Sequence, residues 1–136
     1  MCYPLFGEEH IKLYRDTDGE HGHDWEGATI LLLTTTGRRS GLPRTAALIY
    51  QQHGGHHVVV ASNGGLDVHP NWYLNLRKDP KVHVQIKGEH FDARARTATP
   101  EEKAGLWPIM TKIWPRYIRC QRCTKREFPV VLLERI

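Results

Sequence analysis

The chain has 136 residues, of which 40% are hydrophobic and 25% are charged, as in an ordinary globular domain. No apolar run approaches the length of about 20 residues that a membrane-spanning helix needs, and residues 1–7 are too short and too mixed for a signal peptide. The net charge of +4 suits an anionic ligand, a nucleic acid or an acidic membrane surface, and it does not choose among them.

The N-terminal segment, residues 1–27, is predicted to be a helix and a loop. Residues 8–15 place Ile11 and Tyr14 on one side of a short helix. Residues 16–22 are polar and contain glycine, which predicts a mobile loop before the first strand. We predict that this segment belongs to a single domain spanning residues 1–136.

An arginine-rich turn follows the first strand. The apolar residues 30–33 and the run 45–52 predict two strands of a hairpin, and residues 34–44, here called the arginine turn, join them. Gly37 and Gly41 let a ligand approach the main chain. The turn also holds three arginines, whose planar donors fit phosphate or carboxylate oxygens. The pattern predicts either an anion site or a solvated basic turn.

The rest of the chain alternates strands and helices. The predicted elements are a valine-rich strand at 56–62 that is buried on both faces, a helix opening at 67–70 and ending at 79–80, a hairpin of strands at 81–87 and 90–97, a helix from the capping box at Thr99 to Ile113, and a last strand at 128–135. This order predicts a mainly β fold with helices. Mostly antiparallel strands must close or stack to hide their edges, and the pattern leaves barrel and sandwich open.

Four segments of the chain, residues 32–44, 58–65, 69–76 and 124–133, resemble in their order the deazaflavin-dependent nitroreductase family. That family uses coenzyme F420. Its first segment is an apolar strand, then T-T-x-G-basic-basic-[ST]-G-x-x-R, then a second strand, and residues 32–44 follow this pattern. The resemblance covers residues 25–136. Because four motifs occur in the right order, the match is far more specific than any one of them.

The resemblance implies a split β-barrel of the flavin-reductase (FMN-binding) type that binds F420. This cofactor has a flat tricyclic head and an anionic tail with a phosphate and several carboxylates, so its site needs an apolar slot and a cationic rim. The family's contacts fall here on the arginine turn, the strand after it, the segment after the third strand, the following helix and one later tyrosine: Arg38, Arg39, Ser40, Arg44, Thr45, Ala46, Ala47, Leu48, Ile49, Val60, Ala61, Ser62, Asn63, Asn71, Trp72, Tyr73, Asn75 and Tyr117.

The substrate side is implied to come from Trp114, Tyr117 and Cys120, whose spacing of three predicts one helical face. Relatives of the nitroreductase type tend to have tyrosines at all three places, and this chain keeps only Tyr117. We therefore predict Tyr117 as the catalytic residue, which orients an acceptor carbonyl. The alternative is an aromatic stripe packed on the barrel.

The cysteines predict no metal site and no disulfide framework. Cys120 and Cys123 have metal-ligand spacing, but one C-x-x-C pair without a second is weak evidence for zinc. Three cysteines are an odd number, and a reducing cytoplasm is the simplest location.

The predicted function is hydride transfer, in which the chemistry belongs mostly to the cofactor. With the resemblance, the sequence predicts a reductase that uses reduced F420 (F420H2) on a small planar acceptor: a quinone, an enone or unsaturated lactone, or a nitroaromatic. A non-catalytic F420 carrier and an FMN-binding split-barrel protein are alternatives. A nucleic-acid binder ranks last, because exposed aromatic repeats are missing. We expect a small-molecule partner and a monomer or weak dimer, and peripheral membrane contact stays open.

Overall fold

The computed structural model describes residues 6–136. Along the chain these residues form α1 (Glu8–Asp16), β1 (Asp24–Trp25), β2 (Ala28–Thr36), β3 (Pro43–His53), β4 (His56–Val60), a 3-10 turn (Asn63–Gly65), α2 (Asn71–Lys78), β5 (Lys81–Ile86), β6 (Glu89–Thr97), α3 (Pro100–Ile113), α4 (Arg116–Arg122) and β7 (Val130–Arg135).

Six of these strands close into an antiparallel barrel. Their order is β2-β3-β4-β7-β6-β5, and β5 returns to pair with β2. The long strand β2 makes this closure, because Leu32 and Thr34 have partners in both β3 and β5. The short β1 adds to the start of β2. Because the first and last strands of this order pair with each other, the fold is a barrel and not a sandwich, and the predicted split barrel is confirmed.

Two apolar cores lie on the two sides of the barrel wall. The inner core takes Leu31 and Leu33 from β2 and receives side chains from all six barrel strands and from α2. The outer core takes Ile30 and Leu32 from the same strand and is covered by α1, α3 and α4. Because successive strand residues point to opposite faces, a strand between two cores is apolar throughout. This confirms the burial predicted for the valine run of β4, where all three valines are buried.

Most predicted elements are confirmed within a residue or two. The capping box forms as predicted: the Thr99 hydroxyl accepts a hydrogen bond from the Glu102 amide (3.2 Å), and the Glu102 carboxylate accepts one from the Thr99 amide (2.9 Å). Helix α3 ends at Ile113, as predicted. The first five residues of the predicted N-terminal segment lie outside the described residues. Among the residues that are described, no helix is long and apolar enough to cross a membrane.

Three local features differ from the predictions. Helix α4 is missing from the predicted order of elements. Only two residues, Trp114 and Pro115, separate it from α3, so no loop pattern marks it as a separate helix. Residues 17–22 form hydrogen-bonded turns, in which the Gly19 amide donates to the Tyr14 carbonyl (2.8 Å) and Gly19 is buried against Lys87. Gln85 is buried although alternation places it on the polar face, and its side-chain nitrogen donates to the Lys87 carbonyl at 2.9 Å.

Candidate functional site

An opening in the barrel wall lies along one edge of β3. Strand β3 pairs with β2 from Pro43 to Tyr50, but it pairs with β4 only from Tyr50 to His53. Within residues 6–136, no strand therefore pairs with this side of residues 44–49. Backbone groups alternate in direction along a strand, so about half of the N–H and C=O groups of this stretch face the opening. A cavity of about 530 Å³ lies there, and residues 44–49 line it.

The arginine turn closes one end of this cavity. The Gly37 amide donates to the Leu42 carbonyl (2.8 Å), and the Gly41 amide donates to the Gly37 carbonyl (2.8 Å). A side chain at position 37 would meet the Ser40 hydroxyl at 2.6 Å, and Gly41 has a φ of 72°. Glycine is therefore required for this compact turn at both positions. The Ser40 hydroxyl accepts from the Leu42 amide (3.1 Å), so it braces the turn.

The three arginines of the turn have different environments. Arg38 is tied to α2: its guanidinium donates to the side-chain oxygens of Asn75 (3.0 Å) and Asn71 (3.4 Å), and its amide donates to Asn75 (3.2 Å). Arg39 and Arg44 also line the cavity, but within the described part of the chain their side chains form no hydrogen bond or ion pair. They are therefore the cations available to an anionic ligand, while Arg38 fixes the turn.

Asn75 connects the turn to the barrel. Its side chain is buried, and its amide nitrogen donates to the Thr35 hydroxyl at 3.1 Å, while its oxygen accepts from Arg38. Lys78, one turn further along α2, donates to the Arg38 carbonyl at 2.8 Å. Because a buried amide needs all of its partners, this network sets the distance between the arginine turn and α2.

The other end of the cavity is apolar. Ile49 of β3 and Val60 of β4 line it, together with Phe6, and Trp72 of α2 adds a further apolar side chain to the cavity lining. Phe6 also packs edge-on against Trp25, with ring centroids 4.7 Å apart. Arg44 and Ile49 are five residues apart on one strand, which spans roughly 16–17 Å at about 3.3 Å per residue. The site is therefore elongated, cationic at one end and apolar at the other.

A loop between β4 and α2 forms a further wall. Ser62 and Asn63 line the cavity from this loop, and Asn63 donates from its side chain to the Val68 carbonyl at 3.0 Å. His69 lies at the end of the loop. Burial, together with the charges of Arg126 and Arg77, lowers the pKa of His69, which favours the neutral imidazole.

The structure brings nearly all predicted cofactor-binding residues to this cavity. The exceptions are Ala61, Tyr73 and Tyr117. Ala61 and Tyr73 belong to the inner core, and the Tyr73 hydroxyl is bonded to that of Thr97 at 2.8 Å. The list of cofactor contacts implied by the resemblance lacked Gly37 and Pro70, which lie inside the recognised motifs, although the turn analysis had already marked Gly37 as a place where a ligand can approach. It also missed Phe6, for which no local signal exists, since only the fold places it beside β3.

The predicted substrate residues do not reach the cavity. Trp114, Tyr117 and Cys120 are all buried in the outer core, with at most 4% of their surface exposed. Trp114 ends α3 and the other two lie on α4, so they do not share one helix. Cys120 is disulfide-bonded, contrary to the expectation that the cysteines form no disulfide, whereas Cys123 is free and exposed. No group of three or more His, Cys, Asp or Glu side chains among residues 6–136 could hold a metal ion.

A family model describing F420H(2)-dependent quinone reductase matches residues 7–135. The chain belongs to this family. The F420H(2)-dependent quinone reductase of Mycobacterium tuberculosis (strain ATCC 25618 / H37Rv) is 38% identical over 130 residues, which cover 93% of this chain and 87% of that protein. Reduced F420 is the hydride donor that defines the F420H(2)-dependent quinone reductase family.

Two solved structures are similar to this chain. One is described as a domain-swapped dimer; it has a TM-score of 0.75 and 35% identity, and the match covers 93% of this chain and 95% of that chain. The other is an F420-H2 dependent reductase (FDR-A) with a TM-score of 0.71 and 37% identity, covering 77% of this chain and 93% of that chain. Both support the assignment to the F420H(2)-dependent quinone reductase family.

Tyr117 offers a direct test of the catalytic prediction. Because its ring is buried among Trp107, Phe128 and the rest of the outer core, we expect Tyr117→Phe to alter the melting temperature and to leave quinone turnover within about twofold. Steady-state rates at saturating F420H2 and a thermal melt measure the two effects. A fall in turnover of about tenfold, with an unchanged melting temperature, would instead support the catalytic role.

Proposed function

We propose that this cavity binds F420 and that the chain reduces a quinone with F420H2. The observation that carries the proposal is the polarity of the cavity. Arg39 and Arg44, which have no side-chain partner within residues 6–136, line one end, and Ile49 and Val60 line the other. F420 has matching parts, since its tail carries phosphate and carboxylates and its head is flat and largely apolar. Arginine forks suit the tail oxygens, and an apolar slot suits the head.

The open edge of β3 gives the head a hydrogen-bonding partner. Its unpaired backbone groups at residues 44–49 can pair with polar atoms on the rim of a flat ring, as a neighbouring strand would. Trp72 and Val60 exclude water from the same space. When bound, F420H2 supplies the hydride, and the residues of this chain hold the ring and leave room for a planar acceptor beside it.

Cofactor choice is tested by fluorescence titration with F420, FMN and FAD in parallel. We expect F420 to bind at least about tenfold more tightly than FMN, since the carboxylates of its tail add charge opposite the arginine turn. FAD is the control for a bulky tail without carboxylates. Tighter binding of FMN than of F420 would contradict the proposal and favour the FMN-binding alternative.

Turnover separates a reductase from an F420 carrier. When F420H2 is mixed with the protein and a water-soluble naphthoquinone, it should be oxidised at a rate that depends on the protein. The oxidation is measured as the increase in the absorbance of oxidised F420. Enones and nitroaromatics belong in the same panel, because we propose them as further acceptors after quinones. Binding without oxidation by any acceptor would identify a carrier.

We also propose that the chain acts in the cytoplasm as a monomer or weak dimer. A similar structure is described as a domain-swapped dimer, which makes self-association worth measuring. Analytical ultracentrifugation over a hundredfold range of concentration distinguishes the two states.

A further inference from the structure

Residues 61–69, here called the wall loop, run from β4 to α2 around a 3-10 turn. Within the loop the Gly65 amide donates to the Ser62 carbonyl (3.0 Å) and the Leu66 amide donates to the Asn63 carbonyl (3.2 Å). Three successive residues, Asn63, Gly64 and Gly65, have φ values of 48°, 63° and 83°. Glycine adopts such values readily and asparagine tolerates them, but a chain with two adjacent glycines loses much conformational freedom when it is ordered. Ser62 and Asn63 of this loop line the cavity. Contacts from outside the loop therefore add to its internal hydrogen bonds in keeping this shape.

Arg126, in the segment between α4 and β7, supplies those contacts. Its Nη1 donates to the Ala61 carbonyl at 3.0 Å, its Nη2 donates to the Ser62 carbonyl at 2.6 Å, and its Nε donates to the Leu66 carbonyl at 3.0 Å. The guanidinium carbon lies 4.9 Å from the centre of the Phe128 ring. One planar fork thus binds both ends of the turn that carries the cavity residues.

Two more contacts join the same segments. Arg126 Nη1 lies 3.1 Å from His69 Nδ1, which is an acceptor when the ring is neutral. The Thr124 hydroxyl donates to the Asp67 carboxylate at 2.6 Å. The wall loop is therefore fastened at five points by two side chains, Thr124 and Arg126, from a segment nearly 60 residues later in the chain. Neither of these side chains lines the cavity.

From this geometry we infer that Arg126 is a positioning residue for the cofactor: it holds the wall loop in the shape that places Ser62 and Asn63 against the bound F420. The inference rests on the proposed F420 site. It assigns Arg126 no contact with cofactor or acceptor. Its effect on binding acts through the backbone of residues 61–66, so both the order of this backbone and the affinity for F420 should change when the fork is removed.

The test compares Arg126→Met, Arg126→Lys and Arg122→Met. Arg122 is an exposed arginine at the end of α4, and its substitution removes the same charge without touching the loop. Hydrogen–deuterium exchange of residues 62–69 is measured without cofactor, and the Kd for F420 is measured by fluorescence. For Arg126→Met we expect exchange at least about tenfold faster and binding about tenfold weaker, since charge-assisted hydrogen bonds to several carbonyls are lost. Amides of β2 should keep their protection.

The lysine variant and the control separate positioning from charge. A lysine ammonium keeps the charge but cannot present the planar fork, so Arg126→Lys should give intermediate exchange and intermediate affinity. Arg122→Met should match the wild type in both. If Arg126→Met does not fold, the same exchange and affinity measurements are made on Arg126→Lys and on Thr124→Val, which removes the contact with Asp67.

Two results would overturn the inference. Unchanged exchange in the Arg126 variants would show that the loop keeps its shape without the fork. Faster exchange with unchanged Kd would show that loop order does not govern binding. If the wild-type protein does not bind F420, the proposed function fails, and the exchange data still report whether Arg126 holds the loop.

Discussion

Replacing Arg39 and Arg44 with alanine is expected to weaken F420 binding by roughly 1–3 kcal/mol for each arginine, or about 5- to 150-fold in Kd. The physical reason is that both guanidinium groups line the cavity and have no partner within residues 6–136, so they are available to the phosphate and carboxylates of the tail. The double variant should lose about the sum of the two effects if the arginines contact different parts of the tail.

Fluorescence titration at two salt concentrations measures this effect. The wild-type affinity should fall with added salt, and the double variant should be less sensitive, since screening acts on the contacts that have been removed. Arg94→Ala is a matched control: Arg94 is exposed on β6, does not line the cavity and changes the net charge equally. If the substitutions weakened the binding of the full cofactor and of a head fragment without the tail equally, the two arginines would act on the fold and not on the tail.

Arg38→Ala should behave differently from its neighbours. Its removal leaves the oxygen of the buried Asn75 without its main donor, so both the melting temperature and the affinity should fall. Arg39→Ala and Arg44→Ala should leave the melting temperature within a few degrees of the wild type.

Tyr14→Ala is expected to lower the free energy of unfolding by roughly 3–5 kcal/mol. Tyr14 is fully buried and anchors α1 on the seam between β2 and β5. Its hydroxyl donates to the Ile30 carbonyl at 2.9 Å and accepts from the Lys87 amide at 2.8 Å. Removing the ring leaves a cavity and two unpaired backbone groups. Tyr14→Phe keeps the volume and should cost about 1–3 kcal/mol for the lost hydrogen bonds.

Denaturant unfolding measures both variants. Leu13→Ala is the control on the same helix; Leu13 is half exposed, so a change of less than about 0.5 kcal/mol is expected. The position of α1 also affects the cavity. Arg15, next to Tyr14 on this helix, donates to the Thr45 hydroxyl at 2.6 Å, and Thr45 lines the cavity. Wild-type stability in Tyr14→Ala would show that α1 adds little to the fold.

Tyr14 should also make the free energy of unfolding of the wild type depend on pH at high pH. Burial raises the pKa of Tyr14 from 10.0 to about 12. A raised folded-state pKa means that the unfolded chain loses the proton more readily, so the stabilisation is complete below about pH 10 and is lost progressively as the pH rises towards 12. The Tyr14→Phe variant should lack this component of the pH dependence.

Local patterns identified most of the elements, and the family resemblance identified most of the cavity lining. Alternation and turn residues identified the strands, and the capping box at Thr99 located the start of α3, because these signals depend on neighbours a few residues away. The arginine turn was recognisable for the same reason. Its glycines, hydroxyl and cations are contiguous, so the turn itself could be found, but its residues alone left an anion site and a solvated basic turn open.

Contacts between distant residues were decided only by the tertiary structure. The sequence could not show that Arg38 is bound by α2 while Arg39 and Arg44 have no side-chain partner within residues 6–136. Nor could it show that Arg126 contacts residues 61–69. An aromatic stripe has the same spacing whether it lines a pocket or packs in a core, so Tyr117 was assigned to the substrate side, although the barrel buries it. The open edge of β3 exists because β4 ends at Val60, and strand pairing between separate segments is a property of the closed barrel that local pattern does not encode.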